Sequence, residues 1–541
     1  MSTNCNLFLA SMILNISAFS QPSIAWQRCY GSSGDDYFSD AIICSDGGYA
    51  ATMYYSETDG DASGLFTKSF PAILTKFNPD FSIQWQSFFG GTTLSNGFLK
   101  LFEIPDKSFT CFGLTNATDG DFEDNHGSID LMLVNTDSIG NKLWSNCYGS
   151  PGTEDCTSFI PTQDQGYLIT GRSYSSGGDI PFHYGTSMTS DAIIIKLDKF
   201  GNIEWVKNLG GSDTDSPLGD PVEFANGVYQ VHIYSSSFDH DLSGSGITDI
   251  KKRWIINLDS LGNIIKESFF SAEDDFLDGD GSTLFSNNKI IIAGLGNADS
   301  PLFPSPTGHE GFEGALATFD TSQNLIDMKQ WGGSLTDIFY RSCKDSIGNF
   351  YFLGASKSFD YDLPANYNTG NAFDYWLVKT DADFNLIWSQ NFGGSDECGD
   401  LGCSSFLGNI LINNNILYAF IKNVVPNSLP DYDMDCGTLG VGNTDAWIVA
   451  FDLSTVISNL DYSSFSVYPN PCNDFLHINS DQTRSNCVTI NLYSIAGNKV
   501  YEKKLEINET VINVSQIAPA LYILEIKQEN KPGEYFKIII N

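Results

Sequence analysis

Residues 193–205 read IIIKLDKFGNIEW, and the meaning of this stretch decides the fold. The apolar run up to Leu197 has the length of a buried strand, Asp198 to Asn202 carries turn-forming residues, and a second strand starts at Ile203. Alone, the segment fits a metal or cofactor loop as well as a structural hairpin. Counting along the chain separates these readings. The pattern D-x-x-G-N-x-x-W recurs at Asp137, Gly140, Asn141 and Trp144, and again at Asp259, Gly262 and Asn263, where Lys266 replaces the tryptophan. Weaker copies run from Asn78 to Trp85, from Asp320 to Asp327 and from Asp381 to Trp388, and Asp452 ends a further strand, DAWIVAFD. The turn positions lie 59, 61, 61, 61 and 61 residues apart, with a last gap of 71. Fixed periodicity of this kind marks a repeat architecture.

Each repeat holds four β segments. In the copy around Trp205 they are DCTSFIPT, GYLITGRSYSS, DAIIIKLD and NIEWVKNLGG, divided by Gly- and Asp-containing turns. No long stretch carries apolar residues at helical spacing. The pattern predicts an all-β protein, with a seven-bladed β-propeller over residues 21–452. Two irregular ends support closure. IAWQRCYGS matches a fourth strand with no first three before it, and AWIVAFD is a third strand with no fourth behind it. Residues 24–30 are therefore expected to pair with residues 446–451, removing an open sheet edge.

The repeats resemble bacterial β-propeller repeats of the general K-x-D-x-x-G-x-x-x-W kind. The quinoprotein dehydrogenases carry a related motif whose tryptophan packs between blades. Here the Asp-to-Gly spacing is one residue shorter than in theirs, and the fit is to seven blades rather than eight. The resemblance implies an architecture and not a quinone cofactor.

The totals bound the function. The formal charge is −38, from 66 Asp and Glu against 28 Lys and Arg, which repels phosphate backbones and argues against nucleic acid as a partner. The chain is not disordered by composition, since 41% of it is hydrophobic, and its 50 glycines suit a turn-rich β protein. Residues 1–20 contain an apolar run from Leu7 to Phe19 and read as a signal peptide cleaved near Ser20–Gln21, although no Lys or Arg precedes the run; a buried strand is the alternative. No later run reaches the roughly 18–20 apolar residues of a spanning helix. Twelve cysteines include the close pairs Cys147/Cys156, Cys398/Cys403 and Cys472/Cys487, candidates for disulfides in an oxidising compartment. None is grouped with histidines at zinc-ligand spacing.

From about Phe465 the repeat stops. FSVYPNPCNDFLHI is followed by NLYSIAGNKVYEKKL, VINVSQIAPALYILEI and GEYFKIIIN. Alternating apolar residues predict about seven short strands of an immunoglobulin-like β-sandwich. Residues 465–541 resemble the type A C-terminal sorting domain of proteins exported by the type IX secretion system. The residues that carry the resemblance are Tyr468, Pro469, Asn470, Pro471, Gly497, Pro519, Tyr522 and Lys537, with Ala520 where the family has Gly. It implies passage through the periplasm, recognition by the type IX machinery, and removal of the module within a linker at residues 453–464. The protein is then released or held at the cell surface.

A second repeated feature is an acidic pair after the second strand. It appears as Asp59/Asp61, Asp119/Asp121, Asp239/Asp241, Asp360/Asp362 and Asp431/Asp433. In a propeller these loops share a face with the loops that join blades, which here carry Gly-Gly-Ser-Asp or close variants. The pairs could hold Ca²⁺ among hard oxygens, or could bond to nearby backbone and serve the repeat. No segment reproduces the full EF-hand calcium loop. Asp130, Asp191, Asp374 and Asp445, with Glu313, each stand seven residues before the turn position. Lys251, Lys252, Arg253 and Trp254 break that pattern with opposite charge: they are a candidate site for an anionic ligand or a partner, or else a solvated patch pairing with neighbouring acidic loops.

Signals for catalysis are poor. The six histidines form no metal-ligand pair, no GxSxG elbow or nucleotide-binding loop occurs, and Ser45 to Gly48 resembles an Asp box only superficially. Carboxylates are too numerous to single out a glycosidase pair. The sequence favours a secreted or surface binding module for a glycan or protein. An extracellular hydrolase of polysaccharide is the alternative, and a structural coat component a third reading.

Overall fold

A computed structural model describes residues 21–63, 71–92, 96–225, 227–246, 251–271, 282–297, 311–363, 373–393, 408–424, 444–453, 465–468, 475–480, 486–494, 499–507, 509–528 and 534–540. The expected signal peptide, most of the expected linker, and Asp431/Asp433 lie outside these residues. The chain forms two compact units, Met1–Thr455 and Val456–Asn541.

In the first unit the described residues form seven antiparallel four-stranded sheets, and short 3₁₀ turns at Gly60–Ala62 and His240–Leu242. Six sheets use four consecutive strands. The sheet containing the opening stretch consists of Glu154–Pro161, Tyr167–Ser173, Asp191–Leu197 and Ile203–Leu209, in that spatial order. The seventh takes Asn409–Asn413, Ile416–Val424 and Thr444–Asp452 from the end of the unit and Ser23–Tyr30 from its start. Ile24 lies opposite Phe451 and Tyr30 opposite Ala446 in that join. Tyr30 also donates its hydroxyl to the Phe81 carbonyl at 2.5 Å, tying the strand to the next sheet.

Packing explains the run IIIKL. Every residue of Asp191–Leu197 is buried. Ile193 and Ile195 pack with Leu131 and Leu133 of the preceding sheet, whereas Ile194 packs with Val231, Trp254 and Ile256 of the following one. A strand covered on both faces reads as a continuous apolar run and not as an alternation. The same arrangement continues around the unit. Trp447, Val449 and Phe451 meet Tyr375 and Leu377 of the sixth sheet, and Ala446, Ile448 and Ala450 meet Phe38, Ala51 and Ile73 of the first. The architecture is propeller-like, with the first strand of each sheet innermost.

The tryptophans of the repeat sit between neighbours. Trp205 donates its indole N–H to the Ser260 carbonyl of the next sheet's hairpin at 3.0 Å. In three copies the hairpin glycine of the following sheet lies on the ring. A Cβ added to Gly140, Gly201 or Gly262 would stand 2.6, 2.8 and 2.8 Å from Trp85, Trp144 and Trp205 atoms respectively. The hairpin aspartates close their own turns: Asp198 Oδ1 accepts from the Phe200 and Asn202 amides at 2.8 and 2.9 Å. The conserved chemistry of D-x-x-G-N-x-x-W within this chain is thus turn closure and sheet-to-sheet contact. Neither Cys147 nor Cys156 is in a disulfide, so that candidate bridge does not form; Cys29 is disulfide-bonded.

In the second unit, Phe465–Tyr468, Phe475–Ser480 and Glu509–Asn513 form one sheet. Lys499–Ile507, Asn486–Ser494, Ala520–Gln528 and Glu534–Ile540 form another. The two share one core, in which Leu476, Ile478 and Ile512 meet Ile490, Leu492, Leu524 and Ile538.

Candidate functional site

The acidic pairs recur in four of the described sheets. The second aspartate of each described pair makes a reciprocal bond with the loop that enters its sheet. The amides of Gly31, Gly90, Gly210 and Gly332 donate to Asp61, Asp121, Asp241 and Asp362 carboxylates at 3.1, 2.9, 3.1 and 3.3 Å. The amides of those four aspartates donate back to the same glycines' carbonyls at 2.9–3.2 Å. The first aspartates act two residues further on. Asp59, Asp119, Asp239 and Asp360 accept from the amides of Ser33, Thr92, Ser212 and Ser334 at 2.6, 2.9, 2.8 and 2.8 Å. Each pair therefore latches the loop that joins one sheet to the next. Among the described residues no group of three or more His, Cys, Asp or Glu side chains is placed to hold a metal ion.

Lys252, Arg253 and Trp254 are buried, with Lys251 half-buried, so they do not form a solvated patch. Lys252 stands in the register position filled by Asp130, Asp191 and Asp374 in other sheets, opposite Ser235 at the end of the second strand. Its ammonium donates to the Ser237 carbonyl at 2.8 Å and lies over the Phe238 ring. Trp254 stacks on Phe269 and donates to Glu267 Oε2 at 3.1 Å. Burial came from the strand's place between two sheets, which a charge count does not register.

The acidic positions meet at sheet junctions. The point where a Cβ on Gly149 would stand lies 2.5 Å from Glu154 Oε2 and 2.6 Å from Asp130 Oδ1. The same relation joins Asp36 to Asp445 at Gly31 and Glu313 to Asp337 at Gly332. Burial pushes Asp337 up to about 7, with Glu313 adding to the effect, and pushes Asp36 and Asp215 up to about 6.

The remaining feature is a cavity of about 340 Å³ between the innermost strands, and all seven sheets contribute to its lining. Four of those strands are bulged at matching places, with register shifts between Phe38 and Asp40, Phe98 and Lys100, Cys156 and Ser158, and Phe339 and Arg341. A bulge re-aims the side chain beside it. The residue after the bulge is anionic in one copy, cationic in two and neutral in one, while the fold around it repeats. Asp40, Lys100 and Arg341 line the cavity, joined by Asp220 from the fourth inner strand.

Their hydrogen bonds divide the site. Lys100 is paired with Asp220 and also donates to Ser158 Oγ at 3.0 Å. Ser158 Oγ in turn donates to Asp220 Oδ1 at 2.5 Å. Burial alone would raise Asp220, but Lys100 holds its carboxyl below the usual range. Asp40 accepts from the Ala41 amide and Asn409 Nδ2 at 2.8 Å each, and from the Leu101 amide at 3.0 Å. Burial pushes it up to about 6 against the pull of Lys100 and Arg341. Arg341 donates Nε to the Gly408 carbonyl at 2.8 Å and Nη1 to the Tyr340 carbonyl at 3.1 Å. The sequence reading missed this group. Its signal was the spacing of about one repeat between Asp40, Lys100 and Ser158 combined with a change of charge.

Residues 466–541 match the secretion system C-terminal sorting domain family. That module marks the protein for export. Its recognition by the type IX system places the chain at the cell surface or in the medium. No helix among the described residues is long and apolar enough to cross a membrane. Of the sorting residues, Tyr468 ends a strand opposite His477, and Pro519 precedes the strand Ala520–Gln528. Tyr522 donates to the Ala518 carbonyl at 2.7 Å, and Lys537 lies opposite Ile523. Pro469, Asn470, Pro471 and Gly497 lie outside the described residues.

No curated protein matches the chain by sequence. Among solved structures, a polysaccharide lyase described as an ulvan lyase aligns with 10% identity and a TM-score of 0.41, over 79% of this chain and 96% of its own. The polysaccharide lyase Uly1 aligns at 9% identity and 0.39, over 77% and 90%. A DUF4221 family member from Bacteroides vulgatus aligns at 12% and 0.35, over 80% and 97%. At these TM-scores the likenesses carry no argument about activity.

Proposed function

We propose that this is an exported, seven-bladed β-propeller that binds a glycan or protein-derived ligand in its central cavity, with an immunoglobulin-like sorting module removed after delivery. The observation that carries the binding reading is the set of residues after the inner-strand bulges. Three of them, Asp40, Lys100 and Arg341, differ in kind within an otherwise repeated frame and line one cavity, the usual mark of a site grafted on a scaffold. We read the aspartate pairs as loop latches in preference to calcium ligands, because their carboxylates accept backbone amides at every described copy.

Hydrolysis of a polysaccharide is the second reading, favoured by one observation: Asp40 is raised and Asp220 lowered, the separation an acid–base pair needs. Against it, Asp40 already accepts three protein donors, Asp220 is paired with Lys100, and Phe102 is the one aromatic residue in the described lining. The test is an array of glycans and peptides probed with the secreted protein, with product analysis of each bound glycan. Binding that is abolished by Thr157→Trp, which fills the cavity, without release of fragments supports the binding reading. Fragment release abolished by Asp40→Asn supports hydrolysis.

A further inference from the structure

We infer that the cavity takes a small hydroxylated carboxylate, its carboxylate on the guanidinium of Arg341; this rests on the cavity being the binding site. Three observations lead there. Arg341 is fixed in plane by two backbone carbonyls, of Gly408 and Tyr340, which use two of its five N–H groups. Among the described residues no carboxylate lies within ion-pair distance of it, whereas the cavity's other cation, Lys100, is paired with Asp220. The lining that holds the guanidinium also carries side-chain hydroxyls, from Thr157, Thr283 and Ser342.

A planar guanidinium held by its own backbone is preorganised for a bidentate carboxylate, and such pairs are the strong, geometry-selective ones. Asp40 and Asp220 feel the guanidinium through space without meeting it directly, so a ligand carboxylate supplies a direct paired contact that a neutral ligand lacks. The surrounding hydroxyls, whose oxygens can accept as well as donate, suit a ligand that carries hydroxyl groups beyond the acid. The volume, about 340 Å³, lies at the lower end for small-molecule sites, so the ligand has the size of a single sugar unit. The overall charge of −38 would repel such an anion at long range, so recognition has to come from this local geometry.

The experiment is calorimetry on the full chain with two matched probe pairs: gluconate against glucitol, and galacturonate against galactose. Each pair differs mainly in the acid group. The expected result is that at least one acid binds tenfold or more tightly than its neutral partner. Arg341→Gln should remove that preference, Arg341→Lys should restore part of it, and Thr157→Trp should abolish binding. Equal binding of acid and neutral partner, unchanged in Arg341→Gln but lost in Thr157→Trp, overturns the carboxylate assignment and leaves the cavity reading standing. Binding untouched by Thr157→Trp, or no binding of any probe at 10 mM (on the order of the weakest specific affinities), overturns both. The matched pairs decide the question in the wild-type chain even where an Arg341 variant folds poorly.

Discussion

Gly201 rests on the indole of Trp144: a Cβ at Gly201 would stand 2.8 Å from Cζ3 of the ring, and the glycine's φ is +83°. The contact joins the hairpin of one sheet to the outer strand of the preceding one. It turns a local turn motif into a device for spacing sheets. Gly47 offers a control, because it has φ of +84° with nothing within 4 Å of the added Cβ. Gly47→Ala should therefore cost only the left-handed backbone strain, about 1 kcal/mol. Gly201→Ala should cost that plus the steric clash, roughly 2–4 kcal/mol in all. Denaturant unfolding of both variants checks this, and equal losses would remove the packing role of the motif.

The pH dependence follows from the buried junction acids. Asp337 moves from 3.8 in the unfolded chain to about 7 when folded, and Asp36 and Asp215 move to about 6. A raised folded value means the protonated form is favoured in the native state. The associated stabilisation is full below about pH 4 and is lost as pH rises through 6 to 7. Buried His232, lowered to about 3 first by burial and then by Arg253, runs the other way, its contribution present above 6.5 and lost as pH falls toward 3. Comparing variants isolates one group. Asp337→Asn should flatten the loss of stability between pH 4 and 7 by up to about 4 kcal/mol. An unchanged slope in urea titrations across that range would contradict the junction account.

The aspartate latches predict a response to metal removal. Asp241→Ala should destabilise by about 1–2 kcal/mol through the lost bond to the Gly210 amide. EDTA should leave the melting temperature of the secreted protein unchanged. A fall of several degrees on adding EDTA, reversed by Ca²⁺, would instead assign the pairs to calcium.

Closure by the N-terminal strand gives a stability prediction. Tyr30 is buried, donates to the Phe81 carbonyl and meets Phe77 edge-on with ring centroids 5.2 Å apart. Tyr30→Ala should cost about 3–5 kcal/mol and Tyr30→Phe about 1 kcal/mol, because the latter loses only the hydrogen bond. A Tyr30→Ala variant as stable as wild type would mean the strand is not part of the folded ring.

The strands and their grouping were legible in the sequence because one turn motif repeats at fixed spacing and each third strand is a continuous apolar run. The packing role of Trp205 was legible only through the resemblance to propeller repeats whose tryptophan packs between blades. The Lys251–Trp254 segment was misplaced, since its charges suggested solvent while the strand they belong to is covered on both faces. The cavity residues stayed hidden because Asp40, Lys100 and Arg341, with Ser158 bonded to Lys100, share a place only after the bulges are aligned. Each one alone reads as an ordinary polar residue on a short strand. The junction pairs were half visible. Asp130 stood out by position, but its partner Glu154 opens the following sheet and meets it only in three dimensions.

The most direct test of the account is a crystal structure of the secreted protein soaked with the tightest ligand from the array. The account predicts ligand density in the central cavity, in contact with Arg341 and the residues of the bulged inner strands. Density confined to the aspartate loops or to the outer strands, with the cavity occupied by water alone, would contradict it.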